Sequence, residues 1–311
     1  VSTYTAAYSD ASINDNARFR TFGDFISTSL QSAGWTQTGD TGQIDWATVS
    51  APGGASTFMG YEILYSDNTA GPRLYMKIEY GSGYNSAAKG FRVNFGTGSD
   101  GSGNLTGGSA PTGGNFSEPS NPGLLMPSPG LAIFSAAGYA AAAGDDYISG
   151  SSARFGVACC DDSNQTFNTA FGVCRTHDTS GNDTDQGWIL WNFSYNNVGK
   201  VLVMHFDAAG KTSHWVTDSP PPQMYLFRHV GDATHIPVKP IYWHGYESDS
   251  PLMPLRDVVA MPTALAADRT DHTFTHVGAS RTFKAVYGNV TASTVWGVTA
   301  PAVQSLAMRY D

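Results

Sequence analysis

The side chains able to do chemistry are few and widely spaced. Eight histidines are present, and the tightest pair is His272 and His276 in HTFTH. On a helix that spacing puts two ligands on one face, as a zinc site requires. The intervening Thr273, Phe274 and Thr275 are strand formers, and on a strand residues four apart sit about 13 Å from each other. The chain has neither an HExxH motif nor paired CxxC motifs. His272 and His276 are therefore expected to be structural or surface residues.

The loop from Thr176 to Gly187 (THDTSGNDTDQG) holds Asp178, Asn182, Asp183 and Asp185. Hard oxygen ligands near a glycine suit calcium, but the spacing departs from the EF-hand pattern and no glutamate closes it. A hairpin turn is the expected use, because Asp and Asn form turns in their own right. Cys159, Cys160 and Cys174 are an odd set, two of them adjacent and so directed to opposite faces of a strand. Reduced, buried thiols are favoured, with a Cys159–Cys174 or Cys160–Cys174 pair across a hairpin left open.

For nucleophilic catalysis the nearest approach to GxSxG is GTGSDGSG, from Gly96 to Gly103. It lacks the strand-turn-helix setting of a nucleophile elbow. No helix follows it, as a phosphate-cradling loop would require. Paired carboxylates for glycoside hydrolysis would have to come from scattered residues such as Glu62, Glu79, Glu118 and Glu247. Glu62 and Glu79 are expected on the exposed faces of hairpin strands. The sequence thus predicts no enzyme, no metal and no cofactor. Aromatic residues are the remaining surplus, with 7 Trp, 15 Tyr and 16 Phe. Tyr242, Trp243 and Tyr246 form the best local set for stacking on sugars, although core and interface packing is the favoured use.

Composition narrows the partners. The 311 residues suffice for one large or two modest domains. The charged share of 14% is low against a usual value of about 25%. A polar but uncharged surface suits a protein covered by neighbours, since burying unpaired charge is unfavourable. The net charge of −9 and the absence of a basic stripe argue against nucleic acid and against anionic membrane surfaces. No apolar run approaches the roughly 20 residues that span a bilayer, and the first residues lack a secretory pattern. Assembly in a cytoplasm is the expectation.

The elements that must position these residues are mainly β. Residues 1 to about 13 read as an extended arm, disordered or laid on a partner. A helix follows, with Ser12, Asn14 or Asp15 as N-cap candidates and Phe19, Phe22, Phe25, Ile26 and Leu30 along one apolar face. It stops at Gly34, with Trp35 folded back on the last turn. Gln43 to Val49 reads as a short strand, with Ile44, Trp46 and Thr48 on one face. Tyr61–Asp67 and Leu74–Gly83 read as an antiparallel hairpin, and Phe91–Gly96 as a third strand. The helix is expected to pack on this three- or four-stranded meander. The Gly/Ser-rich stretch 96–115 reads as a surface loop resting on a neighbour.

From Ala153 onward, strands are expected at 153–160, 168–176, 187–195, 200–206, 223–230, 238–245, 254–262, 272–277 and 281–288. Pro240 marks an edge or a bulge. The fold class is mainly β with a minor α element: an N-terminal helix on an antiparallel meander, then an antiparallel sandwich or barrel-like region. The expected organisation is an arm plus an α+β docking unit over 1–110, a Gly/Pro/Ala-rich connection over 111–152, and an antiparallel β domain over 153–311.

Four stretches carry a resemblance. They are ARFRTFG (Ala17 to Gly23), DTGQIDWATV (Asp40 to Val49), KIEYGSG (Lys77 to Gly83) and GTGSDGSGNLTG (Gly96 to Gly107). RTHDTSGND (Arg175 to Asp183), the GDATHIPVKPIY region and the final LAMRYD add to it. Together they resemble a group of tailed-bacteriophage virion structural proteins. The resemblance implies a virion component without fixing its place in the particle; a noncatalytic part of the tail, baseplate or fibre region, packed against other virion proteins and copies of itself, is the leading expectation. It supplies no catalytic residues. A capsid decoration protein, a receptor module for host surface polysaccharide and a polysaccharide-degrading enzyme are the alternatives.

Overall fold

The computed structural model describes residues 4–10, 16–51, 53, 57–66, 73–82, 89–106, 131–134, 144–151, 154–161, 169–177, 183–194, 201–207, 239–244, 251–261, 271–276, 278–285 and 305–311. Among them the fold is mainly β with one helix, and every strand pairing is antiparallel.

The helix α1 (Asn16–Ser32) buries Phe19, Phe22, Ile26 and Leu30 completely. These recur every three or four residues, so they form one stripe. Burying such side chains contributes roughly 1.5–3 kcal/mol each. Phe25, expected on the same stripe, lies at its margin and is half-buried. The N-cap candidates Ser12, Asn14 and Asp15 lie outside the described residues. At the other end Gly34 takes a φ of 96°, and its N–H donates to Gln31 O at 3.0 Å. That left-handed position is open to glycine at little cost and ends the helix. Trp35 opens a strand, β2 (Trp35–Gln37), and is almost fully buried.

The sheet beneath α1 runs in the order β2, β3 (Phe58–Ser66), β4 (Tyr75–Ser82), β5 (Lys89–Gly96) and β8 (Leu131–Phe134). The expected hairpin is β3–β4, with Leu64 opposite Met76 and Glu62 opposite Ile78. Glu62, Leu64, Ser66, Met76, Ile78 and Tyr80 share one buried face. A small hairpin, β6 (Gly98–Ser99) and β7 (Leu105–Thr106), follows β5.

Residues 43–49 are not a strand. They form an irregular loop, for which Asp45 is responsible: its Oδ1 accepts Ala47 N–H at 2.9 Å and its Oδ2 accepts the Thr48 hydroxyl at 2.8 Å. Such local side-chain bonds compete with a strand ladder.

A second sheet has the order β1 (Tyr4–Asp10), β9 (Gly144–Ser151), β10 (Arg154–Asp161), β11 (Thr169–His177), β12 (Asp183–Ser194) and β13 (Val201–Asp207). The expected arm is thus a strand of the chain's own sheet, paired from Tyr4↔Gly150 to Asp10↔Gly144. The stretch 111–152, expected as a connection, gives β8 to the helix-bearing sheet and β9 to this one. α1 also touches β1 and β9.

The third sheet has the order β14 (Lys239–His244), β15 (Pro251–Met261), β18 (Ser305–Arg309), β17 (Ala279–Ala285) and β16 (Asp271–His276). Pro240 sits on the edge strand β14, next to a register shift, as its missing N–H requires. Val259, Phe283 and Ala307 form a buried cluster there, with Phe274 stacked on Phe283 at 4.9 Å. The expected strand at 223–230 lies outside the described residues. No described helix is long and apolar enough to cross a membrane.

Candidate functional site

The helix-bearing sheet gathers the chemistry-bearing side chains of the first hundred residues into two polar clusters. The first surrounds Glu62. Strand alternation with one wet face put this residue outside, yet it is 1% exposed and lies under α1. Its Oε1 accepts the Ser27 hydroxyl at 2.7 Å and Trp46 Nε1–H at 3.1 Å, and its Oε2 accepts the Tyr80 hydroxyl at 2.9 Å. Gln31 Nε2 donates in turn to Ser27 Oγ at 3.1 Å. One carboxyl group thereby joins the helix, the 43–49 loop and two strands.

Burial raises the Glu62 pKa, and the nearby Asp24 charge adds to this, against the lowering effect of the three donors. Tyr80 is driven well upward by its own burial and by Glu62. Glu79, the other carboxylate expected outside, is also buried and pairs with Lys77 at 3.2 Å. Ile63, also on that second face, is fully buried too. The strand pair is covered on both sides, and that is why its alternation misled.

Trp46 completes this cluster from above. Its ring meets Tyr80 edge-on at 4.5 Å and Phe19 at 5.7 Å, and it lies flush against α1 at Gly23, where a Cβ would penetrate the ring. The loop carrying Trp46 is strapped to the helix by Arg20, which donates to Val49 O and, at 2.9 Å, to Thr48 O. Asn16 Oδ1 accepts Ala51 N–H at 2.8 Å.

The second cluster centres on Asp40. Its Oδ1 accepts the Ser99 hydroxyl at 2.7 Å and its Oδ2 accepts Gly103 N–H at 2.9 Å. Thr41 N–H donates to Gly101 O at 3.1 Å, and the Tyr61 hydroxyl donates to Thr41 O. Burial and the Asp100 charge push the Asp40 carboxyl up. Hydrogen bonds to the carboxylate, those from the Ser99 hydroxyl and Gly103 N–H among them, outweigh both, and the net shift is downward. Asp100 folds its own turn, accepting Ser102 N–H at 2.8 Å, Asn104 N–H at 3.0 Å and Asn104 Nδ2–H at 2.8 Å. The front half of the expected surface loop is therefore a braced hairpin fastened to its own chain. The remainder, 107–115, lies outside the described residues.

The other sequence candidates do not converge on either cluster. Tyr242 and Trp243 are successive residues of β14, opposite Pro254 and Met253, while Tyr246 lies outside the described residues. His272 and His276 sit on β16, as strand residues should, and the ring of the buried His276 meets Phe283 edge-on at 5.4 Å. Asp183 and Asp185 lie on β12 rather than in the expected turn, Asp183 opposite His177, while Asp178 and Asn182 lie outside the described residues. Cys174 lies opposite Arg154 and Cys159 opposite Thr169. That register separates Cys159 and Cys174 by five residues, about 17 Å, so neither cysteine of β10 faces Cys174 across the ladder.

Among the described residues no group of three His, Cys, Asp or Glu side chains could hold a metal ion. Both Glu62 oxygens and both Asp40 oxygens accept hydrogen bonds from the chain itself, an arrangement that fastens elements together. Sequence reasoning missed Glu62 and Asp40 as organisers. No protein-family model matches this chain, and no curated protein matches it either.

Proposed function

We propose that the chain is a noncatalytic structural component of a tailed-bacteriophage virion, of the tail, baseplate or fibre region, working by packing against other virion proteins and its own copies. One observation carries this reading. The four stretches that resemble phage structural proteins meet in one unit, where side chains of one stretch hold the side chains or backbone of another. Arg20 from the first straps the second, Trp46 from the second meets Tyr80 from the third, and Asp40 from the second holds Ser99 and Gly103 from the fourth. Motif residues spent on internal fastening suit a part whose job is a fixed shape. The low charge of the chain supports the same reading.

Sedimenting purified particles and quantifying the chain by mass spectrometry tests the proposal. The expected result is co-sedimentation at a copy number set by the rotational symmetry of a tail. A copy number following the capsid lattice supports a decoration protein instead. Absence from purified particles overturns the virion reading altogether. Saturable binding to host polysaccharide that is lost in Trp243→Ala or Tyr246→Ala supports a receptor module.

A further inference from the structure

We propose that the 97–106 hairpin is a flap, which opens and closes over the 38–42 turn as a unit while α1 and the sheet beneath it stay folded. The inference is independent of the virion reading. It rests on a contrast between how the hairpin is held together and how it is held down.

Internally the hairpin is braced at every level. β6 pairs with β7, Thr97 N–H donates to Thr106 O at 2.9 Å, and Asp100 N–H donates to Asn104 O at 3.0 Å. The Asp100 carboxylate ties Ser102 and Asn104 into the same turn. Its attachment to the 38–42 turn is thin and polar. Asp40 receives Ser99 and Gly103, and Gly101 O receives Thr41 N–H and, at 3.4 Å, the Thr41 hydroxyl. Two of these bonds converge on one carboxylate.

Little apolar surface seals the joint. Leu105 is half-buried, and Thr97, Asp100, Gly101, Ser102, Asn104 and Thr106 are exposed. Gly103 is buried on the Tyr61 ring with a φ of 92°, a close approach that a larger residue could not make. The α1 junction, by contrast, is sealed by four fully buried large side chains. Segments with few buried apolar contacts open at lower free energy than the core. Opening also separates Asp40 from Asp100, whose charges oppose each other across the joint, and uncovers the Tyr61 ring. The titratable groups facing Asp40 are thus Asp100 from the hairpin and Tyr61 from β3.

Hydrogen exchange on the full chain tests the flap, with Thr41 and Gly103 amides as probes and Phe22–Leu30 amides as the core reference. In the wild type at neutral pH, Thr41 and Gly103 are expected to exchange faster than the core amides. Asp40→Ala is expected to lower protection at Thr41 and Gly103 by about 10- to 100-fold, the range of lost bonds to a charged group, with core protection unchanged. Gly103→Ala, which forces a side chain into Tyr61, is expected to act in the same way with Asp40 intact. Equal loss of protection in α1, failure of Asp40→Ala to fold, or unchanged protection at Gly103 each overturns the proposal. Any of these makes the hairpin an integral part of the fold.

Discussion

Replacing Glu62 separates two effects that the buried cluster combines: three hydrogen bonds and a carboxyl group out of water. In Glu62→Ala the Ser27 hydroxyl, Trp46 Nε1–H and Tyr80 hydroxyl lose their shared acceptor. Each buried donor left unsatisfied costs about 1–3 kcal/mol. Trp46 is only half-buried, so its N–H can reach water and the low end applies, and a small void adds to the loss. The expected destabilisation is on the order of 4 kcal/mol. Glu62→Gln keeps the shape. Its Oε1 accepts from Ser27 and Trp46, and its Nε2 donates to the Tyr80 oxygen once that hydroxyl turns round. It also removes the need to bury a charge, so its stability is expected within about 1 kcal/mol of wild type at neutral pH.

The two proteins differ in pH dependence. Burial raises the folded Glu62 pKa above its ordinary 4.5, so the folded protein holds this proton more tightly than the unfolded chain. The stability contributed by the group is therefore fully present below 4.5, falls as pH rises through the raised folded value, and levels off above it. Urea denaturation across that window is the assay. Wild type is expected to show this downward slope, and Glu62→Gln to lack this component. If the Gln variant is as unstable as the Ala variant, or keeps the full slope, the reasoning fails.

Other perturbations report on neighbouring features. Gly23→Ala gains about 1 kcal/mol of helix propensity, but its Cβ must displace Trp46. A net loss of about 1–3 kcal/mol is expected from overpacking, read by thermal denaturation against the exposed control Thr28→Ala. Arg20→Ala releases the Thr48 and Val49 carbonyls and should raise proteolytic cleavage within 45–51 several-fold while α1 stays protected. Phe283→Ala should cost about 3–5 kcal/mol, because the ring is fully buried and stacked on Phe274. Peptide mapping without reductant should find no Cys159–Cys174 or Cys160–Cys174 linkage, as the β10–β11 register requires.

The helix and most later strands were legible because their patterns are local. Phe19, Phe22, Ile26 and Leu30 announce a helix by spacing alone, and the strands at 187–195 and 272–277 announce themselves by β-forming residues between turns. β1, β8 and β9 were not legible. YTAAYSD, LAIF and GDDYISGS are short or set among Ala, Gly, Ser and Asp, and strand pairing with distant segments decides their state. The 43–49 error has a local cause in Asp45, whose turn bonds defeat the apparent alternation of Ile44, Trp46 and Thr48. Glu62 was misplaced because alternation reveals which residues share a face, but not whether both faces are covered. Asp40 and Ser99 lie 59 residues apart, and no spacing rule connects them.

The most direct test of the proposed role is electron microscopy of intact particles labelled with antibody against this chain. Label is expected on the tail, at its baseplate or fibre attachment region. Label spread over the capsid would contradict the tail assignment, and particles without label would contradict the virion role itself.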